Sequence, residues 1–377
     1  MKCIVLTYLN SLDSPGGGTV GCLQIAHHMQ KLGVEVILIP ISHGLATVEK
    51  QFPGCVIPAQ PSRLHYLLDG LSVAKAVRSV IAEKQVDAVL SWGHDAAFLP
   101  GCLNSKNIVF GMIAAHSSYS IWMNRQTMLK PVKDLTDEWF RFRPLKLADI
   151  TFALSNFTRK ELIVLFGLES ERVIVTYWGV DAMFTQVQRS FGGEVSRLIF
   201  YGSLAPLKGI FDLIEALARV AAQGQNNWIL KVAGWDNEEQ VENAAREHGI
   251  SDRVILLGRL DHQQLTRELE WAQLAILPSR AESFGLAIAE AQASGLPVIS
   301  CEAGAVPEVV EKNVTGWLVP PERVDRLTEA IIEAMLDPMK TYRMGLAGRD
   351  RITRLFSWEQ TAVAMLQGIE KAKKKRA

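Results

Sequence analysis

Short apolar runs alternate along the chain with stretches of helical period. The first run, Cys3–Thr7, predicts a buried strand, and a glycine-rich loop at Pro15–Gly18 follows it. A helix is then indicated by apolar residues spaced for one face: Cys22, Ile25, Ala26, Met29 and Leu32. Further strands are predicted at Val34–Ile39, Val86–Leu90, Ile108–Ala114, Ile150–Leu154 and Val173–Thr176. Continuous apolar strands separated by helices favour an α/β fold whose parallel sheet is covered on both faces.

The same pattern begins again near residue 197. Strands are predicted at Leu198–Tyr201, Ile229–Ala233, Val254–Leu257, Leu274–Leu277 and Pro297–Ser300. The polar segment 185–196 contains two adjacent glycines and is interpreted as a linker. We therefore expect a first domain over 1–184 and a second over 197–356, with ligands bound where strand ends of both face one cleft. Thr341–Phe356 and Trp358–Lys371 predict helices, and the closing segment 357–377 is expected to pack back on the first domain.

Composition and charge narrow the function classes. With 48% hydrophobic and 21% charged residues the chain is an ordinary globular one, and 40 basic against 40 acidic residues make a nucleic-acid partner unexpected. The five cysteines are scattered and form no C-x-x-C pair, which favours a reducing, cytoplasmic compartment and no zinc site. No apolar stretch is long enough for a membrane span. The basic end at 373–376 is interpreted as a frayed, solvated terminus.

The strongest local signal is the segment from Arg280 to Ala291. It follows a strand, and its residues from about Gly285 predict a helix that ends at Gly295. The amides of Phe284, Gly285, Leu286 and Ala287 would hold phosphate or sugar oxygens at the positive helix end. Carboxylates accept hydrogen bonds from hydroxyls, so Glu282 and Glu290 favour a polyhydroxylated ligand. The alternative is that both glutamates are solvated helix residues.

A second signal is the loop Gly202–Gly209 between a strand and a helix. Lys208 lies at the start of that helix, where a cation opposes the helix dipole unless an anionic ligand is present. A surface lysine is the alternative. Pro15–Gly18 lacks the G-x-G-x-x-G spacing, so it predicts close backbone approach to a ligand and no dinucleotide fingerprint.

Two histidines, His94 and His116, follow predicted strands, and a structural role is favoured for His94. No metal-ligand or P-loop motif is present in the sequence. The stretch 122–146 mixes tryptophans and phenylalanines with six basic residues, which indicates either contact with an anionic membrane surface or an ordinary partly exposed helix pair.

Taken together and in their order along the chain, these motifs resemble those of retaining glycosyltransferases of the family 4 type. The resemblance rests on Gly16 and Gly17, His116, the segment from Ser155 to Asp181, the loop Gly202–Gly209, the pair Glu282 and Glu290, Gly304 to Glu308, and Phe356 to Trp358. It covers most of the chain. It implies the GT-B fold, in which two Rossmann-like α/β/α domains face each other across a cleft.

The resemblance also implies residue roles. Glu282 would contact hydroxyls of the donor sugar, and Glu290 the ribose of the nucleotide. The diphosphate would be held by Gly16, Gly17, Lys208 and the amides of residues 284–287. His116 would lie near the reacting carbon. Glu282, His116 and Lys208 are thus the expected catalytic residues.

One position departs from the family pattern, because Ser203 stands where the family has an arginine beside the diphosphate. Loss of a cation weakens stabilisation of the leaving group, and Arg280 is a candidate to compensate. The expected activity is metal-independent, retaining transfer of a hexosyl group from a nucleoside diphosphate sugar, with UDP as the default nucleotide. The expected acceptor is a hydroxyl, lipid-linked or on an envelope glycan, and peripheral membrane contact is compatible with it. An epimerase, a phosphorylase-like protein or a non-catalytic sugar-nucleotide binding protein are the alternatives.

Overall fold

The computed structural model of the protein describes residues 1–8, 17–40, 46–59, 66–103, 107–114 and 142–376. The chain forms two compact units, Met1–Gly179 with Trp358–Ala377, and Val180–Ser357. Each unit is built on its own six-stranded parallel sheet. The α/β class expected from the alternating apolar runs is therefore confirmed.

The sheet of unit 1 has the strand order β2-β1-β3-β4-β5-β6. Its strands are β1 (Cys3–Tyr8), β2 (Glu35–Pro40), β3 (Ala88–Ser91), β4 (Val109–Ala114), β5 (Ile150–Ala153) and β6 (Val173–Val175). Its helices include α1 (Gly17–Lys31), α2 (Ala46–Gln51), α3 (Tyr66–Glu83), α4 (Arg143–Leu147) and α5 (Asn156–Phe166). All of these strands are nearly completely buried apart from single terminal positions and the edge strand β6, as expected for a sheet covered on both faces.

The sheet of unit 2 has the order β12-β11-β10-β7-β8-β9. Its strands are β7 (Arg197–Ser203), β8 (Ile229–Trp235), β9 (Val254–Gly258), β10 (Leu274–Leu277), β11 (Val298–Cys301) and β12 (Gly316–Val319). Its helices are α6 (Ala182–Thr185), α7 (Ile210–Ala222), α8 (Glu238–Glu247), α9 (His262–Trp271), α10 (Leu286–Ala293), α11 (Val306–Val309), α12 (Val324–Leu336) and α13 (Pro338–Leu355). Counted within the unit, this is the 3-2-1-4-5-6 order of the Rossmann fold, and the strand order reverses between β7 and β10.

The last helix, α14 (Trp358–Arg376), belongs to unit 1. It packs against α1 and over β4 and β5. Its end is an ordered docking element, so the interpretation of 373–376 as a frayed terminus is wrong. Lys373 lies 2.5 Å from Asp87, Lys375 lies 2.5 Å from Glu171, and Arg376 lies 2.6 Å from Asp149.

These three acids precede β3, β6 and β5 at the amino edge of the sheet, and their ion pairs explain why the basic end of the helix packs there. Burial alone would raise the pKa of Asp87, but hydrogen bonds from Lys373 and from the amides of Lys2 and Cys3 lower that pKa below its ordinary value.

The segment 185–196 is not a free linker. The boundary between the units lies at Gly179 and Val180, and the polar segment is tied to unit 2. Arg189 donates to the carbonyls of Ala272 and Ser294, both at 2.7 Å, and Gln273 donates to the carbonyl of Glu194 at 2.8 Å. Buried carbonyls at helix ends need such donors, and this is why a polar, glycine-containing segment lies on the domain instead of between domains.

Candidate functional site

The predicted donor-site residues of unit 2 gather at the carboxyl ends of β7 and β10. This is the point where the strand order reverses, and in open α/β sheets ligands bind outside the strand ends there. Ser203 ends β7 and the loop after it carries Lys208, whereas the loop after β10 carries Glu282 and leads into α10.

Lys208 is positioned by a tight turn. It ends a 3₁₀ turn over Pro206–Lys208, and its amide donates to the carbonyl of Ala205 at 2.8 Å. The next residue, Gly209, has φ of 75°, and a Cβ there would lie 2.2 Å from the carbonyl oxygen of Pro278. Only glycine permits this approach, so the β7 loop is held against the end of β10.

Glu282 is held equally firmly. Its carbonyl accepts a hydrogen bond from the amide of Ala305 at 2.9 Å, and a Cβ on Gly304 would lie 2.1 Å from the same oxygen. The carboxylate of Glu282 lies 2.6 Å from the ammonium of Lys208, and the two side chains are 15% and 35% exposed. The structure thus brings together two predicted catalytic residues that are 74 positions apart.

The helix after this loop begins at Leu286, as predicted, with Gly285 before it in the left-handed region at φ of 93°. Among the described residues no side chain caps this end. The first backbone hydrogen bond of the helix runs from the amide of Ala289 to the carbonyl of Gly285 at 3.0 Å. The amides of Leu286 and Ala287 therefore come from the first turn, where a helix presents N–H groups and positive potential to an anion.

Glu290 lies one turn further along α10 and is buried, with only 8% of its surface exposed. Burial, together with the charge of nearby Asp181, raises the pKa of its carboxyl to about 8. The alternative that Glu282 and Glu290 are solvated helix residues is therefore wrong, because one is ion-paired and the other is buried.

Two residues near Glu290, Tyr201 and Asp181, are not among the predicted site residues, although Asp181 ends one of the motifs that carry the family resemblance. Tyr201 donates from its hydroxyl to the carbonyl of Ala287 at 2.5 Å, and burial, followed by the charge of Glu290, raises the pKa of that phenol. Asp181 accepts from the amide of Met183 at 3.1 Å. The only sequence signal for Tyr201 is its place next to Gly202 at a strand end.

Ser203 and Arg280 are both engaged by carboxylates. The Ser203 hydroxyl donates to Asp236 at 3.1 Å. Arg280 forms two hydrogen bonds to Asp212, at 3.0 and 2.7 Å, and a third to Glu322 at 2.8 Å. The charge of Arg280 is thus shared with these two acids, and its compensation for the missing family arginine stays a prediction.

The remaining predicted residues belong to unit 1. Gly17 is exposed and begins α1. Gly16 and His116 lie outside the described residues, as do most positions of the basic and aromatic stretch 122–146. At its described end, Phe142 is buried against Phe166, with ring centroids 4.7 Å apart, and so is part of the core.

Within the described ranges no group of three or more His, Cys, Asp or Glu side chains is placed to hold a metal ion. None of the helices in the described part of the chain is long and apolar enough to cross a membrane.

Comparison with known proteins assigns a family to both halves of the chain. Residues 15–184 match the family model described as Glycosyltransferase Family 4, and residues 186–351 match the one described as Glycosyl transferases group 1. The chain is 32% identical over 248 residues to an MMP α-(1→4)-mannosyltransferase of Mycolicibacterium hassiacum, across 64% of this chain and 59% of that protein. The chain thus spans less than two thirds of that relative's length.

Other relatives match over more of their length. A GDP-mannose-dependent α-(1-6)-phosphatidylinositol monomannoside mannosyltransferase of Mycobacterium tuberculosis is 26% identical over 321 residues, or 79% of this chain and 80% of that protein. Among solved structures, the sucrose-phosphate synthase of Thermosynechococcus elongatus superposes with a TM-score of 0.79 at 21% identity, covering 98% of this chain and 99% of that one. This likeness concerns the fold, which is GT-B. The chain belongs to the family 4 and group 1 glycosyltransferases.

Proposed function

We propose that the protein transfers a hexosyl group from a nucleoside diphosphate sugar to an acceptor hydroxyl, with retention of the anomeric configuration. The observation that carries this proposal is the grouping of Lys208, Glu282 and the uncapped start of α10 at one sheet edge, with Glu290 buried in the helix behind it. Lys208 and the helix start match a diphosphate, Glu282 matches a sugar, and Glu290 matches a ribose.

In the proposed complex, Lys208 and the amides of Leu286 and Ala287 hold the diphosphate. An ammonium and helix-end amides both favour negative charge, and they stabilise the additional charge that develops on the leaving group. Glu290 accepts hydrogen bonds from the ribose hydroxyls, and Glu282 accepts them from hydroxyls of the donor sugar.

In the proposed reaction, the bond between the anomeric carbon and the diphosphate oxygen breaks, and the electron pair leaves with the diphosphate. The acceptor hydroxyl forms the new bond on the same face of the sugar, and its proton passes to the departing phosphate oxygen. In this reaction the protein must stabilise the leaving group more than it must supply a strong base. We propose that the reaction proceeds without a divalent cation.

We propose a lipid-linked or envelope glycan as the acceptor, in accord with the phosphatidylinositol monomannoside in the name of the Mycobacterium tuberculosis relative. UDP is the default nucleotide of the sequence interpretation, whereas that relative depends on GDP-mannose, so both nucleotides belong in the proposal.

The proposal is tested by incubating the protein with radiolabelled UDP-glucose, UDP-galactose or GDP-mannose, each with and without EDTA. The expected result is slow release of free sugar from one donor, unchanged by EDTA. When a glycolipid extract is added, the label of that donor should pass to the lipid faster than free sugar was released. Ser203 in place of the family arginine favours the alternative of a non-catalytic binding protein. Nucleotide binding without turnover for every donor and acceptor would support that alternative, and a converted but still nucleotide-linked sugar would indicate an epimerase.

A further inference from the structure

The ion pair between Lys208 and Glu282 joins two groups to which the proposed function gives different ligands. In the nucleotide-free protein the ammonium and the carboxylate satisfy each other at 2.6 Å. We infer that this ion pair makes the site select the intact sugar nucleotide over the free nucleoside diphosphate, an inference that rests on the proposed function.

The two backbones cannot separate easily. The Lys208 turn is held by the close approach of Gly209 to Pro278, and the carbonyl of Glu282 by Gly304 and Ala305. Opening the pair is therefore a matter of side-chain rotation, and the carboxylate stays at its half-buried position whatever the lysine does.

The carboxylate has few means of compensation once the lysine turns away. Glu282 is only 15% exposed, and the guanidinium of Arg280, two positions earlier in the chain, is already ion-paired with Asp212 and Glu322. Removing one partner of a buried ion pair leaves an uncompensated charge, and this cost is larger than the strength of the pair itself.

A free nucleoside diphosphate needs Lys208 for its phosphates and offers nothing to Glu282. An intact donor needs the same lysine, but its sugar hydroxyls donate hydrogen bonds to the carboxylate that the lysine has left. The free-energy cost of opening the pair therefore weakens binding of the free nucleoside diphosphate, which is the product. For the intact donor, hydrogen bonds from the sugar offset that cost. After transfer, Lys208 returns to Glu282 as the free diphosphate departs.

The test measures dissociation constants by calorimetry for UDP, UDP-glucose, GDP and GDP-mannose with the wild type and Glu282→Gln. The neutral amide needs no counter-charge, so we expect the free diphosphate of the preferred nucleotide to bind about tenfold more tightly to the variant. The intact donor loses a charged acceptor and should bind more weakly. The ratio of the two constants, product over donor, should therefore fall by more than tenfold.

Glu268→Gln is the matched control. It breaks another half-buried pair of unit 2, in which Lys231 lies 2.5 Å from Glu268 with side chains 19% and 24% exposed. Since that pair joins α9 to the interior of β8, its loss should leave the ratio unchanged. Glu282→Asp keeps the negative charge on a side chain that is one methylene shorter, so it should give an intermediate ratio of the two dissociation constants. This variant replaces Glu282→Gln in the test if the glutamine variant does not fold.

An unchanged ratio in Glu282→Gln, or product and donor weakened equally, would overturn the inference while leaving the proposed function intact. Absence of binding by the wild type to all four nucleotides would instead overturn the proposed function and this inference with it.

Discussion

The buried carboxyl of Glu290 makes the stability of unit 2 depend on pH in a direction opposite to that of most acidic residues. Its pKa of about 8 in the folded protein compares with an ordinary value of 4.5. Between those two values the folded state keeps the proton and the unfolded state releases it, so the free energy of unfolding falls as pH rises. At about 1.4 kcal/mol for each pKa unit, the total loss is about 5 kcal/mol.

Glu290→Gln removes this dependence while keeping the shape of the side chain. We expect the variant and the wild type to have similar stability near pH 5, and the variant to gain about 1.4 kcal/mol for each pH unit up to about pH 8. Alanine is the poorer choice, because the side chain is only 8% exposed and its removal would leave a cavity.

Urea unfolding at several pH values measures this difference in the free energy of unfolding. Hydrogen exchange of peptides from β7, β10 and α10 identifies which transition belongs to unit 2. A difference between variant and wild type that stays constant from about pH 5 to about pH 8 would refute the assignment of a neutral carboxyl. Above about pH 8, where the wild-type carboxyl is ionised, the same variant should also bind the nucleotide more weakly, since an amide is a poorer partner than a carboxylate for two ribose hydroxyls.

Two further predictions concern the ion pairs of Lys208 with Glu282 and of Asp87 with Lys373. Lys208→Ala should lower kcat by about two to three orders of magnitude in a radiolabel transfer assay, because it removes the ammonium from the proposed diphosphate site, and activity near that of the wild type would contradict this role. Asp87→Asn should destabilise unit 1 at neutral pH by about 1–3 kcal/mol in urea unfolding, since Lys373 loses its counter-charge. Because the pKa of Asp87 is lowered, the wild type should lose this advantage only below about pH 4, and a difference that persists in stronger acid would refute the explanation.

The strands of both sheets were predictable where an apolar run is continuous and bounded by polar residues, and β1 to β11 all lie at predicted positions. The strand β12 was missed. Only Trp317, Leu318 and Val319 follow its first glycine, and so short a run has no periodicity that separates a strand from a loop. Its assignment depends on pairing with β11, which is a tertiary property.

The candidate site was predictable as a set of loop residues but not as an arrangement. Lys208 and Glu282 follow separate strands, and no local pattern states that they meet. Their contact depends on Gly209 and Gly304, which allow two loops to approach backbone atoms at distances that any side chain would prevent. In the same way, the burial of Glu290 follows from helix packing, so the sequence could mark its position but not its protonation.

The replacement of the family arginine by Ser203 has a structural counterpart in Asp236. The serine hydroxyl donates to this exposed carboxylate at 3.1 Å, and Asp236 adopts a left-handed φ of 93°. An arginine introduced at position 203 would meet that carboxylate, and an exposed ion pair of this kind is worth at most about 1 kcal/mol. Restoring the arginine alone should therefore supply only part of the missing positive charge at the diphosphate.

The variants Ser203→Arg, Asp236→Asn and their combination separate these contributions in a double-mutant cycle on kcat/KM. We expect the arginine alone to raise kcat/KM by less than about fivefold, the asparagine alone to leave it nearly unchanged, and the combination to raise it by about tenfold or more. A combination that does no better than the arginine alone would show that Asp236 does not hold the guanidinium. In that case the ion pair of Lys208 and Glu282 would have to explain the small amount of free positive charge at the diphosphate site, because Glu282 neutralises the ammonium until a donor binds.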